Sequence, residues 1–323
     1  MQILNAIFLL SFGFIFLAVG ANLLVANAAI LARKLGISAR LIGLTIIALG
    51  TSIPEMTIAF RAGFSGYPGL SVGDIIGSNI VNIGLVLSIA LLVFPLELRS
   101  VTVKKEWFIL FLSLMLVGIL MLNRQLGFID GIILIGCGIV TLLWIIRQGL
   151  KSGFFHRDVL STEYKKEIDI GVSVKEAVLK VILGLMVLPF SAHLIVKQAI
   201  WIAQYWHVAN ITIGLTLSAL GTSLPELAAT ISCIQKRESD IAVGNIIGSN
   251  TINLLIVLAI PILIQNVPIG VFMIRDYTVM FLLSLCLFIF TFQRNRIKNH
   301  SLKGAFLLSI YIIYLMSIYF VHR

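Results

Sequence analysis

Residues 42–82 read IGLTIIALGTSIPEMTIAFRAGFSGYPGLSVGDIIGSNIVN, and residues 213–253 read IGLTLSALGTSLPELAATISCIQKRESDIAVGNIIGSNTIN. The two stretches align without a gap at an offset of 171, and 19 of their 41 positions are identical. The identities gather in Ile42-Gly43-Leu44-Thr45, Ala48-Leu49-Gly50-Thr51-Ser52, Pro54-Glu55 and Ile75-Ile76-Gly77-Ser78-Asn79, with Asn82. The same offset sets Ala21-Asn22-Leu23 opposite Ala192-His193-Leu194, so the duplication extends beyond the motifs.

The chain around this repeat has 323 residues, 59% hydrophobic and only 12% charged, with a mean hydropathy of +1.06. A soluble domain needs more charge to cover its surface. Apolar runs of about 20 residues follow one another, each long enough to cross a bilayer of about 30 Å. Ten spans are predicted, roughly 3–31, 40–62, 70–95, 106–123, 127–147, 176–204, 210–234, 241–266, 275–293 and 303–321. The fold class is an all-α polytopic membrane protein, because a β-barrel would show short alternating segments. The polar stretch 148–175 separates a first five-helix repeat, 1–147, from a second, 176–323. Five is odd, so the second copy enters the membrane from the opposite side. The expected plan is a 5+5 inverted-topology repeat, common among secondary transporters.

The net charge of +10 would point to nucleic acid in a soluble protein. Here its placement matters more. Of the 24 Lys and Arg residues, 18 fall in the odd-numbered loops and 4 in the even loops and termini; Lys180 and Lys197 lie inside the sixth span. The positive-inside rule then sets the odd loops, with 148–175, in the cytoplasm and both termini outside. The expected location is the cell (inner) membrane, the partner surface is the lipid bilayer, and no nucleic acid is expected. Met1-Gln2-Ile3-Leu4 reads as the start of the first span and not as a removed signal peptide. Cys137, Cys233 and Cys286 fall in apolar runs and form no ligand cluster. Trp107, Trp201 and Trp206 lie near span ends and read as interfacial anchors.

The chemistry sits in Gly50-Thr51-Ser52-Ile53-Pro54-Glu55 and its copy Gly221-Thr222-Ser223-Leu224-Pro225-Glu226. A carboxylate at bilayer depth costs at least about 2.5–3.5 kcal/mol and marks a functional site by default. Proline removes the N–H that would bond the carbonyl four residues back, so Pro54 frees Gly50 and Pro225 frees Gly221. A kinked or locally unwound helix is expected, tolerated at this depth only along a cavity. Hydroxyls, carbonyls and a carboxylate on one short stretch are the hard oxygen ligands that Ca²⁺ gathers, about six to eight at a time. In the second element Ser78 and Asn82, and their copies Ser249 and Asn253, are four apart and share a helix face. One Pro-kinked helix is ordinary membrane packing, and a lone glutamate could pair with Lys197. The recurrence of the same carboxylate with the same neighbours argues against both. Asp74 has no carboxylate twin, since Asn245 takes its place; its two readings are a place near the mouth of the pathway and a helix cap, and the cap is favoured. His193 and Lys197 share a helix face and read as a water-facing or protein-facing surface.

The double pattern Gly-Thr-Ser-x-Pro-Glu and Gly-x-x-x-Gly-Ser-Asn-x-x-Asn resembles the α-1 and α-2 repeats of the sodium/calcium exchanger branch of the calcium/cation antiporters, in its short prokaryotic form. The resemblance implies a secondary active antiporter, not an enzyme, that exchanges Ca²⁺ for Na⁺ by alternating access and needs no cofactor. Carried onto this chain, it implies ion ligation by the carboxylates of Glu55 and Glu226 and the hydroxyls of Thr51, Ser52, Thr222, Ser223, Ser78 and Ser249. The carbonyls of Ala48 and Ala219 join them, with Asn82 and Asn253 completing the ring. It further implies that the first and sixth spans slide across this core. Some prokaryotic relatives carry Asp where Asn253 stands, which leaves this chain two carboxylates in the ring instead of three. The alternatives are a Ca²⁺/H⁺ antiporter using the same glutamates, a cation channel and a non-transporting membrane receptor; H⁺ and K⁺ are the further candidate ions. An ATP-driven pump is disfavoured by the lack of a Walker motif.

Overall fold

A computed structural model describes residues 2–93, 101–156, 171–205, 220–292 and 300–321, apart from some side chains at helix ends. Helix α1 is Gln2–Leu35. Helices α2 (Ala39–Thr51) and α3 (Ile53–Phe64) are two halves of one span, bent by 42°. Then come α4 (Pro68–Val93), α5 (Val101–Leu120), α6 (Phe128–His156) and α7 (Val174–Tyr205). Helix α8 (Leu224–Gln235) leads to α9 (Ser239–Ile264), α10 (Val271–Phe292) and α11 (His300–Val321).

Among the described residues, eight helices are long and apolar enough to cross a membrane, and the bent pair α2–α3 makes nine. The predicted seventh span, 210–234, is described only from residue 220 onward. A two-residue antiparallel ladder joins Gln125 to Pro268 and Leu126 to Val267, a small departure from an all-α chain.

Burial sorts the helices. The apolar windows of α4 and α9 are 78% and 83% buried, against 22% for α1 and α6. Helices apolar all round belong in the centre, and those with an apolar outer face meet lipid. The main core joins α4 and α9 to α5, α10 and α11 through residues such as Ile76, Ile83, Leu110, Ile246, Leu255, Leu287 and Leu307. Helices α1 and α7 centre a second cluster, which also takes in Ile42 and Ile47 of α2, Ala229 and Cys233 of α8 and Ile241 of α9. Leu17, Leu24 and Ala28 pack against Val181, Leu188 and Ile195, with Gly20 against Val187 and Gly184 against Leu24.

The ion pairs between loops follow the parity of the predicted spans. Arg33 pairs with Glu238, Arg40 with Asp240 and, at 3.8 Å, with Glu106. Lys34 donates to the Val172 carbonyl. Each contact joins two odd-numbered connections. The Gln125–Pro268 ladder joins two even ones. Trp107 departs from expectation. It is only 2% exposed and belongs to the main core, so it is a packing residue and not an interfacial anchor. Trp201 is half-buried and stacks on Tyr205, while Trp206 lies outside the described residues.

Candidate functional site

Each motif breaks its helix at a serine. Ser52 (φ −81°, ψ 6°) ends α2, and Ser223 (φ −84°, ψ 2°) precedes α8. The new half-helix starts at once, with proline in its first turn, where a missing N–H costs nothing. Glu55 and Glu226 lie in that same first turn, at the positive end of the half-helix dipole. The proline kink therefore does more than free a carbonyl. It builds a helix N-terminus in mid-span for a carboxylate to occupy. Helices α4 and α9 bear a matching irregularity, a π-helical turn beginning at Asn82 and another at Asn253. Such single turns recur at functional sites.

Glu55, Glu226, Ala48, Thr51, Ser52, Ser78, Ser249, Asn82 and Asn253 are completely buried, and Thr222 and Ser223 nearly so. Ala219 lies outside the described residues. The contacts come in pairs that exchange under the offset of 171. Thr51 Oγ1 is 3.2 Å from Ser249 Oγ, and Thr222 Oγ1 is 2.9 Å from Ser78 Oγ. Asn82 Nδ2 donates to Asn250 Oδ1 at 3.0 Å, and Asn253 Nδ2 donates to Asn79 Oδ1 at 3.3 Å. Ser78 Oγ also donates to Glu55 Oε1 at 3.1 Å. Thr51 and Ser249 stand beside Glu226, yet neither of its oxygens has a partner in hydrogen-bonding geometry.

The oxygens left over are as informative as those that are bonded. Glu55 Oε2, both Glu226 oxygens, the hydroxyls of Ser52 and Ser223, and Oδ1 of Asn82 and Asn253 have no hydrogen-bond partner. Buried polar atoms are normally satisfied, and an unpaired one costs about 1–3 kcal/mol. These are oxygen atoms, gathered around two carboxylates and repeated in both halves, beside the unpartnered amide nitrogens of Asn245 and Asn250. Oxygen atoms without donors suit a hard cation. The Ala48 carbonyl already accepts Ser52 N–H at 3.1 Å and the Thr51 hydroxyl at 3.4 Å, so it is the most committed member of the set. Among the described residues no three His, Cys, Asp or Glu side chains converge as a metal cluster. A cation here would rest on the glutamate pair and neutral oxygens.

Two features escape a reading of the spacing. Asn79 and Asn250 orient Asn82 and Asn253 across the α4–α9 contact, and Asn79 Nδ2 also reaches the Asn250 carbonyl at 3.4 Å. By taking the amide donors, they leave the oxygens of Asn82 and Asn253 unbonded. Asp74 is not a surface cap. It is buried and acts electrostatically on Glu55, as Glu226 does. Its counterpart Asn245 is completely buried and accepts from Thr51 Oγ1 at 3.3 Å. His193 and Lys197 are exposed on α7, so Lys197 is no partner for a glutamate.

The chain is similar to known proteins. The chain is 34% identical over 274 residues to the inner membrane protein YrbG of Escherichia coli, covering 84% of each. It is 35% identical to the putative antiporter CaxA of Alkalimonas amylolytica, covering 83% of this chain and 84% of that one. It is 28% identical to the sodium/calcium exchanger MaX1 of Methanosarcina acetivorans, with 85% and 87% covered. A structure of the sodium-calcium exchanger NCX_Mj soaked with Na⁺ and zero Ca²⁺ superposes with a TM-score of 0.82 at 28% identity, covering 98% of this chain and 99% of that one. Another, soaked with both Na⁺ and Ca²⁺, gives 0.83. The sequence model of the sodium/calcium exchanger protein family matches residues 5–147 and 176–320, leaving out the loop between the halves. The chain belongs to the sodium/calcium exchanger protein family.

Proposed function

We propose that this protein is a secondary antiporter that exchanges Ca²⁺ for Na⁺ across the cell membrane by alternating access. The observation that carries this reading is the buried pair Glu55 and Glu226, each at the start of a half-helix, amid oxygens that lack donors. The ions ride on Glu55, Glu226, Thr51, Ser52, Thr222, Ser223, Ser78, Ser249, Asn82 and Asn253, with the Ala48 and Ala219 carbonyls. The printed names of MaX1 and NCX_Mj support sodium and calcium as the exchanged ions.

Coupling follows from electrostatics. Two buried carboxylates hold a charge near −2, which one Ca²⁺ or two to three Na⁺ offset. The ions use overlapping oxygens, so they displace one another. An empty site is an unpaired buried charge, expensive to move past apolar walls. Only loaded states then change sides. The packing of α1 on α7, in a cluster distinct from the main core, supports a helix pair that shifts across α2, α8 and α9. The odd-to-odd and even-to-even loop contacts support ten spans in two inverted halves. With the positive-inside rule they support termini outside and the loop 148–175 in the cytoplasm.

The test uses purified protein in sodium-loaded liposomes. Calcium uptake should follow the outward sodium gradient and vanish in Glu55→Gln and in Glu226→Gln. Wild-type uptake in either variant would overturn the site. Uptake that ignores sodium but collapses with the pH gradient would make the counter-ion a proton, and single-channel currents would make the protein a channel.

A further inference from the structure

Helix α2 reaches the site along a seam with α9 whose two ends differ in chemistry. At the site end, Thr51 Oγ1 lies 3.3 Å from Asn245 Oδ1 and 3.2 Å from Ser249 Oγ. At the other end, in the first turn that Ser38 caps, Arg40 donates to Asp240 in the first turn of α9. Arg40 also lies 3.8 Å from Glu106 of α5. Between the two ends the backbones touch. A Cβ on Gly43 would lie 2.6 Å from the Ile241 carbonyl oxygen, and one on Gly244 would lie 2.8 Å from that of Arg40.

The charged end is not a surface decoration. The side chains of Arg40 and Glu106 are 10% and 7% exposed, and only Asp240, at 62%, is open. Arg33, the neighbouring cation, is taken by Glu238. An apolar set of similar volume would hold three helices at least as well as buried charges. What a guanidinium between two carboxylates adds is direction, because it fixes where α2 starts along α9 and α5. Helix α2 needs such a fix. It departs from a regular α-helix in a π-helical turn over Gly43–Ile47, so its pitch alone does not decide where Thr51 falls. The glycine seam leaves no flexible side chain to absorb a slip, so a shift at Arg40 reaches Thr51, about 16 Å along the helix. The repeat carries no second copy of the pair. At the offset of 171, Ile211 and Gly69 stand where Arg40 and Asp240 do.

We infer that Arg40, held between Asp240 and Glu106, is a positioning residue for the ion site: it sets the register of α2 on α9, and so the place of the Thr51 oxygen beside Ser249 and Glu226. Arg40 itself touches no ion. The inference rests on the exchanger reading above and refines it. Thr51 is placed by a buried charge cluster at one face of the protein, and its twin Thr222 is not.

The experiment measures sodium-driven uptake in liposomes as a function of calcium. The variant Arg40→Met with Glu106→Gln removes both buried charges together, so that neither is left unanswered. Half-saturating calcium should rise about tenfold, the lower end of the effect of a group that orients a ligand, while the maximal rate is kept. In a Thr51→Ala background the same change should add no further shift, and in a Thr222→Ala background it should still cost about tenfold. Unchanged half-saturating calcium would overturn the inference. So would an equal added shift in both backgrounds, or a lost maximal rate at unchanged half-saturation, since each marks a general structural role. Should the charge-free variant not fold, Asp240→Asn at the open partner takes its place. A shift present with Thr222→Ala and absent with Thr51→Ala then supports the inference, and any other pattern overturns it. A wild-type protein that moves no calcium would overturn the exchanger reading. Wild-type exchange with an unmoved variant would overturn this inference alone.

Discussion

At the scale of single residues, the proposed site depends on side chains outside the proposed ligand set. Asn82 and Asn253 offer oxygen only because Asn250 and Asn79 hold their amide groups across the helix contact. Removing that support lets the amide rotate. Partners that orient a ligand are typically worth about 10–100-fold in metal affinity. Asn250→Ala should therefore weaken calcium binding by about tenfold or more, measured by calorimetry on purified protein. The fold should remain and sodium-driven uptake should recover at high calcium. Unchanged affinity would mean that Asn82 holds its orientation without Asn250. This layer was hidden in the sequence for a physical reason. Spacing assigns Ser78 and Asn82 to one helix face, but the partner of Asn79 is on another helix 171 residues away. Glu55 and Glu226 were legible because a charge at bilayer depth needs a reason wherever its neighbours lie. Asp74 was misread as a cap because its twin is not acidic, and only burial reveals its neighbours.

At the scale of elements, the proline motif was readable and the π-helical turns were not. Pro54 and Pro225 dictate a break that any backbone must make. An extra residue in a helical turn leaves no comparable mark, and Asn82 and Asn253 gave no warning of it. The structure shows where two helices approach closely. A Cβ on Gly248 would lie 2.7 Å from the Leu44 carbonyl oxygen and 2.9 Å from Leu44 Cα, so backbone and not a flexible side chain would have to yield. Overpacking of this kind costs about 1–3 kcal/mol. It would also push α2, with Thr51, away from Ser249, one residue along on α9. Gly248→Ala should thus lower the thermal midpoint in detergent and reduce calcium uptake together. Gly136→Ala on α6, where a Cβ meets nothing within 4 Å, should do neither. Equal behaviour of the two variants would show that α2 and α9 have slack at this crossing.

At the scale of the whole molecule, the charge count and the contact pattern are independent observations with one consequence. By the positive-inside rule, the 18-to-4 division of basic residues predicts that the odd loops face the cytoplasm. The contacts Arg33–Glu238, Arg40–Asp240, Arg40–Glu106 and Lys34–Val172 gather odd connections on one face, and the Gln125–Pro268 ladder gathers even ones. Contacts say which loops share a face and charges say which face it is, so neither alone orients the protein. Gln125 and Lys236 are both exposed and belong to opposite sets, which makes them reporters. In a background lacking Cys137, Cys233 and Cys286, Gln125→Cys should react with a membrane-impermeant maleimide on intact cells. Lys236→Cys should react only after permeabilisation. The reverse pattern would put the loop 148–175 outside. Labelling of both on intact cells would break the parity and with it the inverted repeat. Parity matters to transport because the two copies of Gly-Thr-Ser-x-Pro-Glu must enter from opposite sides. Only then do Glu55 and Glu226 meet at one depth with their half-helices pointing oppositely, so that an ion between them can be released to either face.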